Sequence, residues 1–165
     1  MRRHRRATGL LSIAAAGLIF FAVGCGGDDD MEMEQINLVA TDGGVSEIDT
    51  GRKGPSEGDM NVFDTPLVFA DDRESAGRLI GTQTTISLDD QKEIVQGLFT
   101  IELEEGTIVV GGVSEYPRGN NALTEDQEFE RAVIGGTGKY SDVMGTDTTV
   151  LNADGEYEHE LRLEN

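Results

Sequence analysis

The chain has 165 residues, with 13 Lys and Arg against 32 Asp and Glu, and a net charge of −19 at pH 7. A chain this acidic repels phosphates, which argues against a nucleic-acid partner and against electrostatic adsorption to anionic lipid. Its single cysteine excludes an internal disulfide.

The first 25 residues are typical of an export signal. Residues 1–6 are basic, residues 7–23 are mostly apolar, and Gly24-Cys25 follows. The apolar run is shorter than the roughly 20 residues that cross a bilayer. Ala22-Val23-Gly24-Cys25 is similar to a bacterial lipobox, although leucine is usual at the position of Ala22. We therefore predict removal of residues 1–24 and lipidation of Cys25, which anchors an extracytoplasmic protein to the membrane; an ordinary signal is the alternative.

Residues 25–34 are rich in glycine and acid, which predicts a flexible tether before the folded domain of residues 35–165. Four of the 13 basic residues lie in the signal, so the mature chain has a net charge of about −23. The sequence contains no Cys/His or His-x-x-His spacing and no calcium loop, so no pattern in it predicts a metal site. We interpret the acidic residues as a solvated surface.

From residue 35 onward the apolar pattern has a period of two, which predicts strands and no long helix. Short clusters of Gly, Asp and Asn separate the predicted strands. The eight predicted strands are residues 36–41, 59–69, 78–88, 93–103, 107–114, 129–134, 140–151 and 157–163.

The segment of residues 131–145 (RAVIGGTGKYSDVMG) predicts a strand, a reversal and a second strand. Gly135, Gly136 and Gly138 supply the positive-φ conformations that a tight reversal needs. A phosphate-binding loop is the alternative, but neither a complete dinucleotide fingerprint nor a complete P-loop is present. We interpret the glycines as conformational.

Eight short-linked strands in about 130 residues predict an all-β domain, and closure into an antiparallel β-barrel would remove its exposed edges. The interior of an eight-stranded barrel holds side chains or one small ligand. A two-sheet sandwich fits the same periodicity and stays open at this stage.

Several segments resemble the allene oxide cyclase and dirigent families. Gly58-Asp59 and residues 63–67 (Phe-Asp-Thr-Pro-Leu) are similar to an early strand of these families. Residues 77–81 (Gly-Arg-Leu-Ile-Gly) resemble their next strand. Residues 132–140 (Ala-Val-Ile-Gly-Gly-Thr-Gly-Lys-Tyr) are similar to a dirigent signature, and Gly145 falls near its following glycine. The order and spacing of the segments agree with the family from about residue 58 to residue 145.

The resemblance implies an eight-stranded antiparallel barrel that is often trimeric, with an apolar cavity and no cofactor. Members close a ring in a reactive oxylipin or orient phenoxy radicals. Asp64 aligns with the first aspartate of the dirigent Asp-Asp-Pro-Leu motif, whereas Thr65 replaces the second. Asp64 is therefore our candidate acid, and a hydrogen bond to the turn before Pro66 is its alternative role.

The remaining candidates suit acid–base and electrostatic chemistry in a cavity. Arg78 and Tyr140 are predicted to act with Asp64. Tyr116 and Arg118 flank Pro117 and are predicted to bind a ligand in a loop at the barrel mouth, and a plain loop is the alternative. We expect the neighbouring charges to place His159 at the surface. The leading hypothesis is a lipid-anchored barrel that binds a small apolar molecule and promotes its cyclisation or coupling. The alternative is a structural or interaction lipoprotein with a solid barrel.

Overall fold

The computed structural model describes residues 33–41, 43–118, 123–124 and 127–164. The predicted signal, Cys25 and most of the predicted tether lie outside these ranges. Within them no helix is long and apolar enough to cross a bilayer. The strands are β1 (Met33–Ala40), β2 (Gly44–Ile48), β3 (Met60–Phe69), β4 (Ser75–Leu88), β5 (Lys92–Leu103), β6 (Gly106–Pro117), β7 (Glu128–Gly138), β8 (Met144–Leu151) and β9 (Tyr157–Glu164).

The strands form one antiparallel sheet in the order β1-β9-β8-β7-β6-β5-β4-β3-β2. A further pairing joins β1 to β3, with Leu38 opposite Phe69 and Ala40 opposite Leu67. This pairing closes eight strands into a barrel and leaves β2 as an extra strand on β3. The predicted eight-stranded barrel is confirmed, and the sandwich alternative is wrong.

All five residues of β2 are exposed, and they pair with the first half of β3. No strand was predicted between residues 41 and 59. A strand that is exposed on both faces has no apolar alternation, so periodicity did not reveal it.

Apolar side chains fill one end of the barrel, the end at which β3, β5, β7 and β9 finish. Leu38, Ile101, Ile108, Val110 and Leu161 are fully buried there. Polar side chains occupy the interior toward the opposite end, where β4, β6 and β8 finish. We call this the open end, because it contains the pocket described below.

The glycines of residues 135–138 belong to β7 rather than to the reversal after it. Gly135 lies at φ 141° and Gly138 at φ 63°, which confirms the prediction of positive φ for these two glycines, whereas Gly136 is not at positive φ. The register shifts between Val109 and Val110 of β6, which leaves Ile134 as the extra residue of a bulge in β7. The reversal itself is formed by residues 139–142.

Candidate functional site

A pocket of about 650 Å³ lies at the open end of the barrel. Phe63, Phe99, Tyr116 and Tyr157 contribute aromatic walls. These side chains come from four different strands and point inward because they share the parity of the buried core residues on those strands. The volume is within the range of small-molecule sites.

Arg131 places a positive charge in the wall of this pocket. It lies on β7 and its side chain is only 5% exposed. One terminal nitrogen, Nη1, donates to Thr149 Oγ1 at 3.1 Å, and Nη2 donates to Ser114 Oγ at 2.9 Å. The guanidinium carbon lies 5.3 Å from the ring centroid of Phe99 and 5.4 Å from that of Phe129. Neutral hydroxyls and aromatic rings therefore surround the cation.

Asp147 and His159 form a buried pair beside Arg131. Asp147 is 2% exposed, and its Oδ1 and Oδ2 lie 3.1 Å and 3.2 Å from His159 Nδ1. Thr149 Oγ1 donates to Asp147 Oδ2 at 3.2 Å and lies 3.3 Å from the same histidine nitrogen. Thr149 thus connects the guanidinium of Arg131 with the Asp147–His159 pair. A carboxylate that accepts Nδ1–H fixes the imidazole and leaves Nε2 for a ligand.

Tyr116 supplies a neutral hydroxyl to the same region. Gln83 Nε2 donates to Tyr116 Oη at 3.0 Å, and the ring packs edge-on against Phe129 with centroids 4.8 Å apart. Burial raises the pKa of Tyr116, so its hydroxyl stays protonated at neutral pH. Burial also raises the pKa of Tyr157 in the pocket wall. Both tyrosines are therefore hydrogen-bond donors as well as apolar surfaces.

A second carboxylate, Glu93, is buried next to this layer. Thr85 Oγ1 donates to Glu93 Oε1 across the β4–β5 pair. Glu93 lies opposite Tyr116 on β6 but lines a smaller adjoining pocket of about 170 Å³. Glu93 is not among the residues that line the main pocket.

Of the two predicted ligand-binding residues, only Tyr116 lies in the pocket wall. Arg118 is exposed and donates from Nη1 to the carbonyl oxygen of Asp89. Its backbone N–H donates to Gln91 O at 2.9 Å. Arg118 therefore fastens the β4–β5 turn to the end of β6, outside the pocket.

The predicted catalytic residues do not meet in the pocket. Asp64 is 65% exposed on the outer face of β3, where its carboxylate lies 3.6 Å from Arg78 Nη1. Arg78 also donates from Nε to Glu102 Oε2 at 2.7 Å. Tyr140 is buried in the apolar core at the other end of the barrel, because it follows β7. The expected neighbours Asp64 and Arg78 are thus paired, but on the outside of the barrel.

His159 was predicted to lie at the surface, and this was wrong: His159 is 8% exposed. Neither Arg131 nor Asp147 was among the predicted site residues. A signal was available for the histidine, because His159 has the same parity on β9 as the buried Leu161 and Leu163. Its charged neighbours in sequence occupy the opposite face of the strand.

Comparisons with known proteins give the fold. No family model matches the chain, and no curated protein sequence matches it. Among solved structures it is similar to a pyocyanin demethylase, with a TM-score of 0.67 and 25% identity over 79% of this chain and 99% of that chain. It is similar to a Diels-Alderase from Streptomyces koyangensis, with a TM-score of 0.62 and 16% identity over 81% of this chain and 63% of that chain. A pterocarpan synthase dirigent protein matches with a TM-score of 0.56 and 16% identity over 82% and 83%. The predicted barrel of the allene oxide cyclase and dirigent type is therefore confirmed as the fold of this chain.

Proposed function

We propose that the barrel binds a small, flat and largely apolar molecule in the open-end pocket and promotes its rearrangement by proton transfer. The observation that carries this proposal is His159 in the wall of an aromatic pocket of about 650 Å³, with Asp147 buried behind it against Nδ1. A solid barrel, the alternative for a purely structural lipoprotein, would have no such space.

The aromatic walls favour a flat ligand. Phe63 and Phe99 pack edge to face with centroids 5.8 Å apart, and Tyr116 and Tyr157 line the same pocket. Aromatic surfaces gain most by stacking against other π systems or meeting them edge-on. A conjugated ring system would therefore fill the pocket better than a flexible chain.

His159 is the candidate proton acceptor. Asp147 holds Nδ1–H, so Nε2 is the nitrogen that remains for a ligand proton. The same carboxylate stabilises the imidazolium that forms when the proton arrives. The protonated histidine can then return the proton to another atom of the ligand, which gives a net isomerisation or ring closure.

The neighbours suggest reactions to test. One is named a pyocyanin demethylase, others are Diels-Alderases, and others are pterocarpan synthases of the dirigent type. Ring-forming cycloaddition and ring closure conserve the atoms of the ligand, as the proposed rearrangement does, whereas demethylation would also need an oxidant or an acceptor for the methyl group. The panel for this chain therefore consists of flat conjugated molecules, including pyocyanin and phenols.

Turnover of this panel by wild type, His159→Gln and Asp147→Asn tests the proposal, with product formation followed by mass spectrometry. We expect each variant to lose roughly 100-fold or more in kcat, because general acid–base groups contribute about that much. Asp64→Asn is the matched control on the outer face, and we expect it to change kcat less than about two-fold. A loss of turnover in Asp64→Asn with full activity in His159→Gln would move the site to the outside of the barrel.

We also propose that Cys25 carries a lipid that holds the barrel at the outer face of the cell membrane. The order of basic, apolar and small residues before Cys25 supports this location. Cys25→Ser should release the protein from the membrane fraction, which immunoblotting of fractionated cells measures. An equally membrane-bound Cys25→Ser protein would contradict lipid anchoring.

We propose thirdly that the barrel forms a homo-oligomer, and the resemblance to the allene oxide cyclase and dirigent families suggests a trimer. The outer face of β5–β7 carries exposed apolar side chains at Leu98, Val113 and Ile134. A Cβ built at Gly111 would lie 3.3 Å from Ile134 Cδ1 and 3.6 Å from Leu98 Cδ1, so both side chains lie beside the same residue of β6. Contiguous apolar surface of this kind favours association.

A further inference from the structure

The buried guanidinium of Arg131 forms no salt bridge with a carboxylate in the described part of the chain. In the described part of the chain no Asp or Glu oxygen pairs with its guanidinium within 4.0 Å, and its Nε has no hydrogen-bond partner. Its two hydrogen-bond partners, Ser114 and Thr149, are neutral. Moving a cation out of water has a large free-energy cost unless an anion compensates it. If this position only had to be filled, an apolar side chain of similar volume would stabilise the fold more than an unpaired cation does.

Asp147, which lies opposite Arg131 in the pairing of β7 with β8, already has partners for its carboxylate. Asp147 accepts hydrogen bonds from Thr149 and His159, and it reaches Arg131 only through the Thr149 hydroxyl. Among the residues in the pocket wall, Arg131 and His159 are the interior side chains that can carry a positive charge. The acidic residues of the wall, Glu47, Asp154 and Glu156, belong to β2 and the β8–β9 turn at the mouth.

We propose that Arg131 is an anion-binding residue and that the ligand carries an ionised oxygen group, such as a carboxylate, phenolate or enolate, on its flat body. This inference rests on the proposed function and specifies its ligand. Arg131 shares Thr149 with His159, so one bound molecule can contact both. Where the oxygen that faces Arg131 belongs to a phenol or an enolisable carbonyl, removal of a ligand proton by His159 leaves the electron pair on the ligand as a phenolate or enolate, and Arg131 stabilises that charge; a carboxylate is bound already charged. The proton remains on the imidazole until it is returned.

A matched pair of probes tests the inference on the full chain in detergent. The probes are 2-naphthoate and its neutral analogue 2-naphthamide, which have nearly the same shape, and calorimetry with protein-free micelles as the blank gives each Kd. We expect wild type to bind 2-naphthoate at least about 10-fold more tightly than 2-naphthamide. In Arg131→Gln the preference should fall to within about two-fold while the Kd of 2-naphthamide changes little. Arg131→Lys should keep part of the preference, because it keeps the charge.

Arg78→Gln is the control, because it removes an exposed arginine on the outer face. It should leave the preference unchanged. Equal binding of both probes by wild type would overturn the role of Arg131 and leave the proposed pocket standing. A preference retained in a folded Arg131→Gln protein, with folding checked by thermal unfolding, would also overturn it. If wild type bound neither probe, both this inference and the proposed flat ligand would be wrong.

Discussion

Gly138 shows how a single residue supports the turn after β7. Its φ is 63°, and a Cβ there would lie 2.3 Å from the carbonyl oxygen of Glu105. We expect Gly138→Ala to lower the free energy of unfolding by about 1–3 kcal/mol, because it adds backbone strain to a clash. Thermal unfolding followed by circular dichroism measures the change as a lower midpoint.

Gly44→Ala is the matched control for Gly138→Ala. Gly44 is exposed in β2, and a Cβ there would meet nothing within 4 Å. Its midpoint should stay within about a degree of wild type. Equal midpoints for the two variants would show that the glycine-rich strand end does not depend on Gly138.

The face of the sheet on which a side chain lies was predictable from its position in the alternation of the strand. The residues that it contacts across the sheet were not. Phe63, Thr65 and Leu67 point inward, so Asp64 between them points outward. His159 points inward with Leu161 for the same reason. What sequence could not give is the register that brings Arg131 opposite Asp147, because strand pairing depends on closure of the whole sheet.

At the scale of elements, the β2–β3 connection is organised by Asp59. Its Oδ1 accepts from the Thr50 N–H at 3.0 Å and its Oδ2 accepts from the Ser56 N–H at 2.7 Å. These backbone hydrogen bonds, that from Thr50 first, hold the pKa of Asp59 below its usual value of 3.8. Because the pKa of Asp59 is lower in the folded state than in the unfolded chain, the ionised carboxylate stabilises the fold above pH 3.8. This stabilisation is lost as the pH falls through the folded-state pKa.

An NMR titration of the Thr50 and Ser56 amides checks this. Both should shift together, with a midpoint below 3.8, because one carboxylate binds both. In Asp59→Asn the shared transition should disappear, since the amide does not ionise in this range. A midpoint at or above pH 3.8 in the wild-type protein would contradict the role of the Asp59 carboxylate in binding these two amides.

Most strands were predictable because each has one face in the core. In β9 charged residues alternate with Tyr157, His159, Leu161 and Leu163, whose side chains face the interior. Gly44–Ile48 has neither face buried, and only its pairing with β3 makes it a strand. The glycines after Ile134 were predicted to form the reversal but belong to β7. A bulge and a turn both use positive φ, so glycine alone does not distinguish them.

At the scale of the whole molecule, closure of the sheet divides the side chains between an interior and an outer face. Leu98 is 52% exposed, Val113 is 63% exposed and Ile134 is 59% exposed on neighbouring strands of that outer face. The net charge opposes association between copies, so an apolar contact of this kind must outweigh repulsion. Association should therefore strengthen when salt screens the charges.

Sedimentation velocity of the full chain in detergent tests this assembly. We expect wild type to sediment as an oligomer whose dissociation constant falls as sodium chloride is raised. Leu98→Glu should shift it toward the monomer, because a buried unpaired carboxylate at the contact has a large free-energy cost. Ile48→Glu is the control: it also replaces an exposed apolar residue, but on β2, which lies beyond β4 and β3 from the patch in the sheet order. A monomeric wild type at every salt concentration, or equal effects of both substitutions, would contradict an interface on β5–β7.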